Sequence, residues 1–180
     1  MTANELTWLP TADHPELLAD PVRAQLAGSE LGTHAQVAQI DPAIADTAAL
    51  VQATEVTLES SANCLIVRAR RGGEETFAAA LVLATTKADI NSTIRKTLGA
   101  RKCSFMSMDD AVELTAMEYG GITPIGLPDR WPVLIDSRVV ATEQIVIGSG
   151  LRTSKVRIDG ACAAQLPGAQ VIEGLAIEIE

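Results

Sequence analysis

The chain has 180 residues, a formal net charge of −9 and 47% hydrophobic residues, of which few are aromatic (3% of the chain). That size suits one domain with a substantial core, and the composition makes the core aliphatic and excludes disorder. The acidity argues against nucleic-acid binding through overall charge, because phosphate contacts need Lys and Arg.

The first residues, Met1 to Glu5, lack the basic region and apolar core of a signal peptide. No apolar run reaches the ~18 residues that a membrane-spanning helix needs, so no membrane partner is expected. Residues 1–14 read as a loose leader in which Trp8 and Leu9 tuck against the body. Pro15 and Glu16 suit a helix start, Pro21 interrupts, and Gly28 closes a second short helix. Val37 and Ile40 mark a strand ended by Asp41-Pro42, and Asp46 is placed to cap a helix over 47–54. Residues 1–40 are thus expected to form a leader packed on a body that spans 41–180.

Asn63 to Val67 reads as a strand running into Arg68-Ala69-Arg70-Arg71-Gly72-Gly73, a hairpin turn. Its return partner, Thr76 to Ala84, is nearly all apolar and therefore central in a sheet. A helix follows from Asp89 or Asn91 to Leu98, then a strand from Lys102 to Met106. Ser107 opens a further helix to Met117. Strands are expected at 132–136, 144–147 and 154–158, an alanine-rich helix at 159–166, and a terminal strand from Val171 and 175–179. Paired strands mixed with short helices predict an α+β single domain with a mixed, largely antiparallel central sheet flanked by short helices.

Little in the chain supports metal or nucleophilic chemistry. His14 and His34 are the only imidazoles and lie in no motif, and no phosphate-binding glycine signature is present. Cys64, Cys103 and Cys162 are odd in number and far apart, which favours reduced thiols in a cytoplasm over disulfides or zinc. No metal or cofactor is expected. Lys and Arg are unevenly spread: before Arg68 only Arg23 occurs, and then come Arg70, Arg71, Lys87, Arg95, Lys96, Arg101 and Lys102. A local basic face and a set of ordinary solvated positions are equally open readings.

One segment has the chemistry of a receptor: Glu118-Tyr119-Gly120-Gly121-Ile122-Thr123-Pro124-Ile125-Gly126. Adjacent glycines allow positive φ and close backbone approach, and Pro124 extends Thr123. Such a loop could present N–H donors to a carbonyl or phosphate, or be an ordinary turn. Gly148-Ser149-Gly150 before Arg152 allows the same two readings. Asp136 ends an apolar strand, where it could orient a ligand or cap the next turn. Thr86 and Lys87 follow the central strand, where strand ends often meet a cleft.

Taken in order, these motifs resemble the YbaK/ProX family of aminoacyl-tRNA deacylases, related to the editing domain of some prolyl-tRNA synthetases. The resemblance covers roughly Asp41 to Val171. It rests on Gly120 to Gly126 matching a GG-[IV]-x-P-x-G loop, on Val133 to Asp136, and on the late glycine turn at Gly148. Where the family's strand usually begins with a catalytic lysine, this chain has Asn63-Cys64-Leu65-Ile66. An ammonium neutralises a developing oxyanion, whereas an amide only hydrogen-bonds.

What the resemblance implies is a trans-acting hydrolase that cleaves the ester at the aminoacylated 3′ end of a mischarged tRNA in the cytoplasm. An aminoacyl-tRNA synthetase is its candidate partner. Asn63, Gly120, Gly121 and Asp136 would carry the chemistry. Thr86, Lys87, Thr123, Pro124, Gly126, Gly148, Ser149 and Gly150 would contact substrate, with Lys87 one candidate for the missing charge. The competing expectation is a binding module of the same fold that recognises an aminoacyl or nucleotide end without turnover.

Overall fold

The computed structural model describes residues 4–179. In the N-terminal part, β1 (Leu9–Pro10) and β2 (Gln36–Gln39) bracket two short helices, α1 (Asp20–Leu26) and α2 (Glu30–His34). Pro21 sits in the first turn of α1, where its missing N–H is harmless. Ser29 caps α2 by accepting from the Gly32 N–H. Helix α3 (Thr47–Ala53) follows, with Asp46 at its N-cap position but making no capping bond.

Next comes a long hairpin of β3 (Ala62–Arg71) and β4 (Glu74–Leu83). Gly72 and Gly73 close it with φ of 59° and 83°, values that a two-residue turn of this hand requires. Strand β5 (Thr86–Ala88) leads into a π-helical turn, Ile90–Ile94, continued by α4 (Arg95–Thr97). The Asp89 carboxylate starts that turn by accepting from the Ser92 and Thr93 N–H groups. Then come β6 (Lys102–Phe105), α5 (Met108–Thr115), the glycine loop, β7 (Val133–Asp136) and α6 (Ser137–Ala141). The chain finishes with β8 (Gln144–Gly148), β9 (Ser154–Asp159), a 3-10 segment, β10 (Ala169–Ile172) and β11 (Ala176–Glu178).

Five strands form the central sheet in the order β10-β7-β4-β3-β6. The β4 strand pairs antiparallel with β3 and parallel with β7, and β10 runs parallel to β7. Because β4 is covered on both faces, its apolar run needs no alternation: Ala79 and Leu81 enter one core, and Ala78, Ala80 and Val82 the other. A second, fully antiparallel sheet has the order β1-β2-β9-β8. It meets the first where Ser61 bridges Val146, just ahead of β3. The domain is therefore α+β with mixed, largely antiparallel sheets and short helices, as the patterning predicts.

Besides the missing Asp46 cap, four local expectations need correction. Residues 4–14 are not loose: Leu9 and Pro10 pair with Val37 and Gln36, and the Arg157 guanidinium stacks 4.5 Å from the Trp8 ring; the first three residues lie outside the described chain. The terminal strand is two strands in different sheets, separated by a turn in which Gly174 has a φ of 70°. The alanine-rich helix at 159–166 is a 3-10 segment, Gly160–Gln165. Helix α5 ends at Thr115, short of Met117, because Ala116 turns left-handed at φ 55°.

Candidate active site

Where the two sheets meet, the start of β3, the start of α3, the glycine loop, the end of β8 and the start of β9 line a cavity of about 320 Å³. Asn63 reaches it from β3, and Gly120, Tyr119 and Ile122 from the loop. The neutral amide and the glycine bend therefore share one cleft. Thr47 Oγ1 donates to Asn63 Oδ1 at 2.8 Å, which fixes the amide. Its Nδ2 donors have no protein acceptor among the described residues and remain for a ligand.

The residue that the sequence did not single out is Lys155. It is 7% exposed, lines the same cavity, and its Nζ donates to the Gly120 carbonyl at 3.3 Å. Register explains the position. Lys155 lies opposite Gly148 on β8, and any side chain at 148 would meet the Gly121 carbonyl, with a Cβ only 2.3 Å away. The glycine lets the loop lie directly on the sheet, and the loop closes over the lysine. Burial lowers the Lys155 pKa to about 8, partly offset by the Asp46 carboxylate and reinforced by the Arg152 guanidinium. Asp46, freed from capping duty, stands exposed in the cleft wall. An ammonium held dry beside amide donors is suited to stabilising negative charge on a bound oxygen. Leu50, Ile122, Val146 and Ile147 supply an apolar wall. Cys64 lines it too, and burial pushes its thiol up to about 12, which disfavours the thiolate.

The remaining candidates are placed differently. Gly121 does not line the cleft, and its N–H donates to the Glu118 carbonyl at 3.0 Å. Its lack of a side chain serves packing, since a Cβ there would lie 2.6 Å from the Leu151 carbonyl oxygen. Gly148 lines the cleft, but Ser149 and Gly150 are buried behind it. There Ser149 Oγ bonds with Ser154 Oγ at 2.7 Å, and the Gly150 N–H donates to the Gly121 carbonyl at 2.7 Å. Arg152 clamps the loop, donating to the Tyr119 and Pro42 carbonyls at 3.0 and 2.9 Å. The expected anion site is thus filled by protein groups.

Asp136 is 1% exposed and outside the cleft, accepting from the Arg138 and Ala176 N–H groups at 2.9 Å each. Its carboxylate caps α6 and holds the start of β11, which pairs antiparallel with β5, so both oxygens are engaged by the protein. Thr86 donates to the Leu83 carbonyl at 2.8 Å, and Lys87 is exposed on β5 opposite Ile177 of β11. Lys87 therefore does not supply the cleft's charge. Thr123 is fully buried, while Pro124 and Gly126 line a separate hollow with Trp131 on the far side of the loop. A polar and apolar alternation in Ser-Lys-Val-Arg-Ile marks Lys155 as an ordinary solvated position. Only the register against Gly148 could have drawn it out.

Comparison with known proteins places the chain. No curated protein matches it. A crystal structure described as "a putative trans-editing enzyme for prolyl tRNA synthetase" has 19% identity and a TM-score of 0.74, covering 89% of this chain and 97% of the other. The hypothetical protein APE2540 has 18% identity and a TM-score of 0.74, with 86% and 98% covered. A structure described as "a Putative signal transduction protein" from Marinobacter aquaeolei VT8 has 14% identity and a TM-score of 0.56; the likeness spans 87% of this chain and 30% of that one. At such identities the likeness is one of fold. The profile of the aminoacyl-tRNA editing domain matches residues 41–165, and the chain belongs to that family.

Proposed function

We propose that this protein is a trans-acting editing hydrolase that cleaves the ester of a mischarged tRNA, with Lys155 and Asn63 as its catalytic residues. The observation that carries the proposal is the Lys155 ammonium, buried in the cleft that Asn63 and Gly120 line. Water attacks the ester carbonyl, and the electron pair moves onto the carbonyl oxygen. The Lys155 ammonium and the Asn63 Nδ2 donors hold that oxyanion. Collapse breaks the bond to the ribose oxygen, which takes up the proton from the attacking water. The products are a free amino acid and a tRNA with its terminal hydroxyl restored. An aminoacyl ester is already activated, so orientation and one well-placed charge suffice for a useful rate.

The trans mode is supported by the likeness over 97% of a chain described in those terms. A synthetase that hands over the charged tRNA is the fitting partner, and the cytoplasm the fitting compartment. A panel of mischarged tRNAs, with and without synthetases, tests the proposal. Enzyme-dependent release of one or a few amino acids is expected. Binding of charged tRNA without release from any panel member would instead establish a binding module.

A further inference from the structure

At the opposite end of β3 the charge is arranged in another way. Arg70, Arg71, Arg101 and Lys102 line a shallow hollow of about 450 Å³, together with Glu74 and Glu75. Beside it, a hollow of about 420 Å³ is lined by Arg68, Arg70, Arg95, Arg101 and Lys102, with no carboxylate in its wall. Arg68 and Arg70 are paired, to Glu75 and Asp110. Arg95, Arg101 and Lys102 make no ion pair among the described residues. On a chain of net charge −9, acids are plentiful, yet these three cations line one hollow without an ion pair of their own among the described residues. Such a grouping repels itself and is relieved by a polyanion.

We propose that this face receives the phosphate backbone of the tRNA while the aminoacylated end occupies the Asn63 cleft. The inference rests on the editing-hydrolase reading for the identity of the polyanion. The β3 strand runs from Asn63 in the cleft to Arg70 in the patch, seven residues at about 3.3 Å each, or about 23 Å. That distance is short enough for nucleic acid whose end enters the cleft and which follows β3 to meet the patch. Four of the five cations in the acid-free hollow are arginines, whose forked donors suit phosphate oxygens. The hollows are open and polar, which suits contact independent of base sequence. The local patch also removes the objection from overall acidity, because phosphates respond to charge within about 10 Å at 0.1 M salt.

The test uses the full chain carrying Arg101→Glu and Lys102→Glu together, with Arg23→Glu on α1 as a charge control and thermal melting as a fold control. Binding of uncharged tRNA is measured across a salt series, and hydrolysis is measured on a 3′-aminoacyl adenosine. The expected result is tRNA affinity weakened about tenfold or more in the double variant, with the slope of log affinity against log salt shallower by roughly 1 to 2. Arg23→Glu should bind like wild type, and the small ester should be cleaved equally by all three. Wild-type affinity and slope in the double variant would overturn the proposal. Hydrolysis of the 3′-aminoacyl adenosine surviving in that case would leave the editing reading intact and assign the patch to another partner, such as an acidic protein surface. Patch-dependent tRNA binding with no ester hydrolysis by wild type would uphold this surface and count against the editing reading alone.

Discussion

The two ends of β3 treat positive charge in opposite ways. At the Asn63 end a single ammonium, Lys155, is withdrawn almost fully from water and meets one carbonyl, that of Gly120. At the Arg70 end, exposed guanidinium and ammonium groups stand together in solvent. Burial makes one charge strong at contact range and tunes its pKa, but at the expense of stability. Exposure makes many charges individually weak, screened and inexpensive to hold, so that only their number matters. Chemistry on a carbonyl oxygen needs the first arrangement, and holding a long polyanion needs the second.

Changes at the buried end should have the largest effects. Lys155→Met should lower ester hydrolysis by roughly 10²–10³, the usual range for loss of one oxyanion donor. It should leave tRNA affinity through the basic face within about twofold. Next in size is Gly121→Val. A Cβ there lies 2.6 Å from the Leu151 carbonyl oxygen, and the neighbouring backbone atoms at 2.7 and 2.8 Å cannot yield cheaply. A loss of roughly 3 kcal/mol in chemical denaturation is expected, with the glycine loop displaced. This position reports on packing, not on a donor to substrate.

Lys155→Met should also stabilise the fold. A pKa moved from 10.5 to about 8 amounts to a penalty on the order of 3 kcal/mol at neutral pH. The sign follows from proton binding: between pH 8 and 10.5 the unfolded lysine holds its proton while the folded one has released it. The penalty is complete below about pH 8 and absent above 10.5. The stability advantage of the variant should therefore shrink as pH rises through that window. Cys64, shared by both proteins, cancels in the difference. Asp136→Ala should cost about 2 kcal/mol through the lost α6 cap and the orphaned Ala176 N–H, without changing the rate per folded molecule. Lys87→Ala, exposed on β5, should change neither stability nor hydrolysis measurably.

The same division explains what could be foreseen. The β3–β4 hairpin was legible because its signal is local: two adjacent glycines between apolar runs, one of them unbroken enough to demand burial on both faces. The juxtaposition of Asn63 with Gly120 was legible only through the resemblance, since no local pattern brings residues 57 positions apart together. Lys155 was illegible because its strand alternates like one with a wet face. Nothing in the neighbouring sequence says that Tyr119, the glycine bend and the start of α3 cover that face. Lys87 and Asp136 misled for a related reason. A strand's end often meets a cleft, but here one end enters a small ribbon with β11 and the other is consumed in capping α6.

The pH dependence of single-turnover ester hydrolysis, corrected for the spontaneous reaction, bears most directly on Lys155 as the group that stabilises the oxyanion. With the ammonium as the active form, the enzyme-dependent rate should fall as pH rises through about 8, and Lys155→Met should show a low rate without that fall. A rate in Lys155→Met equal to wild type, or a wild-type rate that climbs through pH 8 to a plateau, would contradict it.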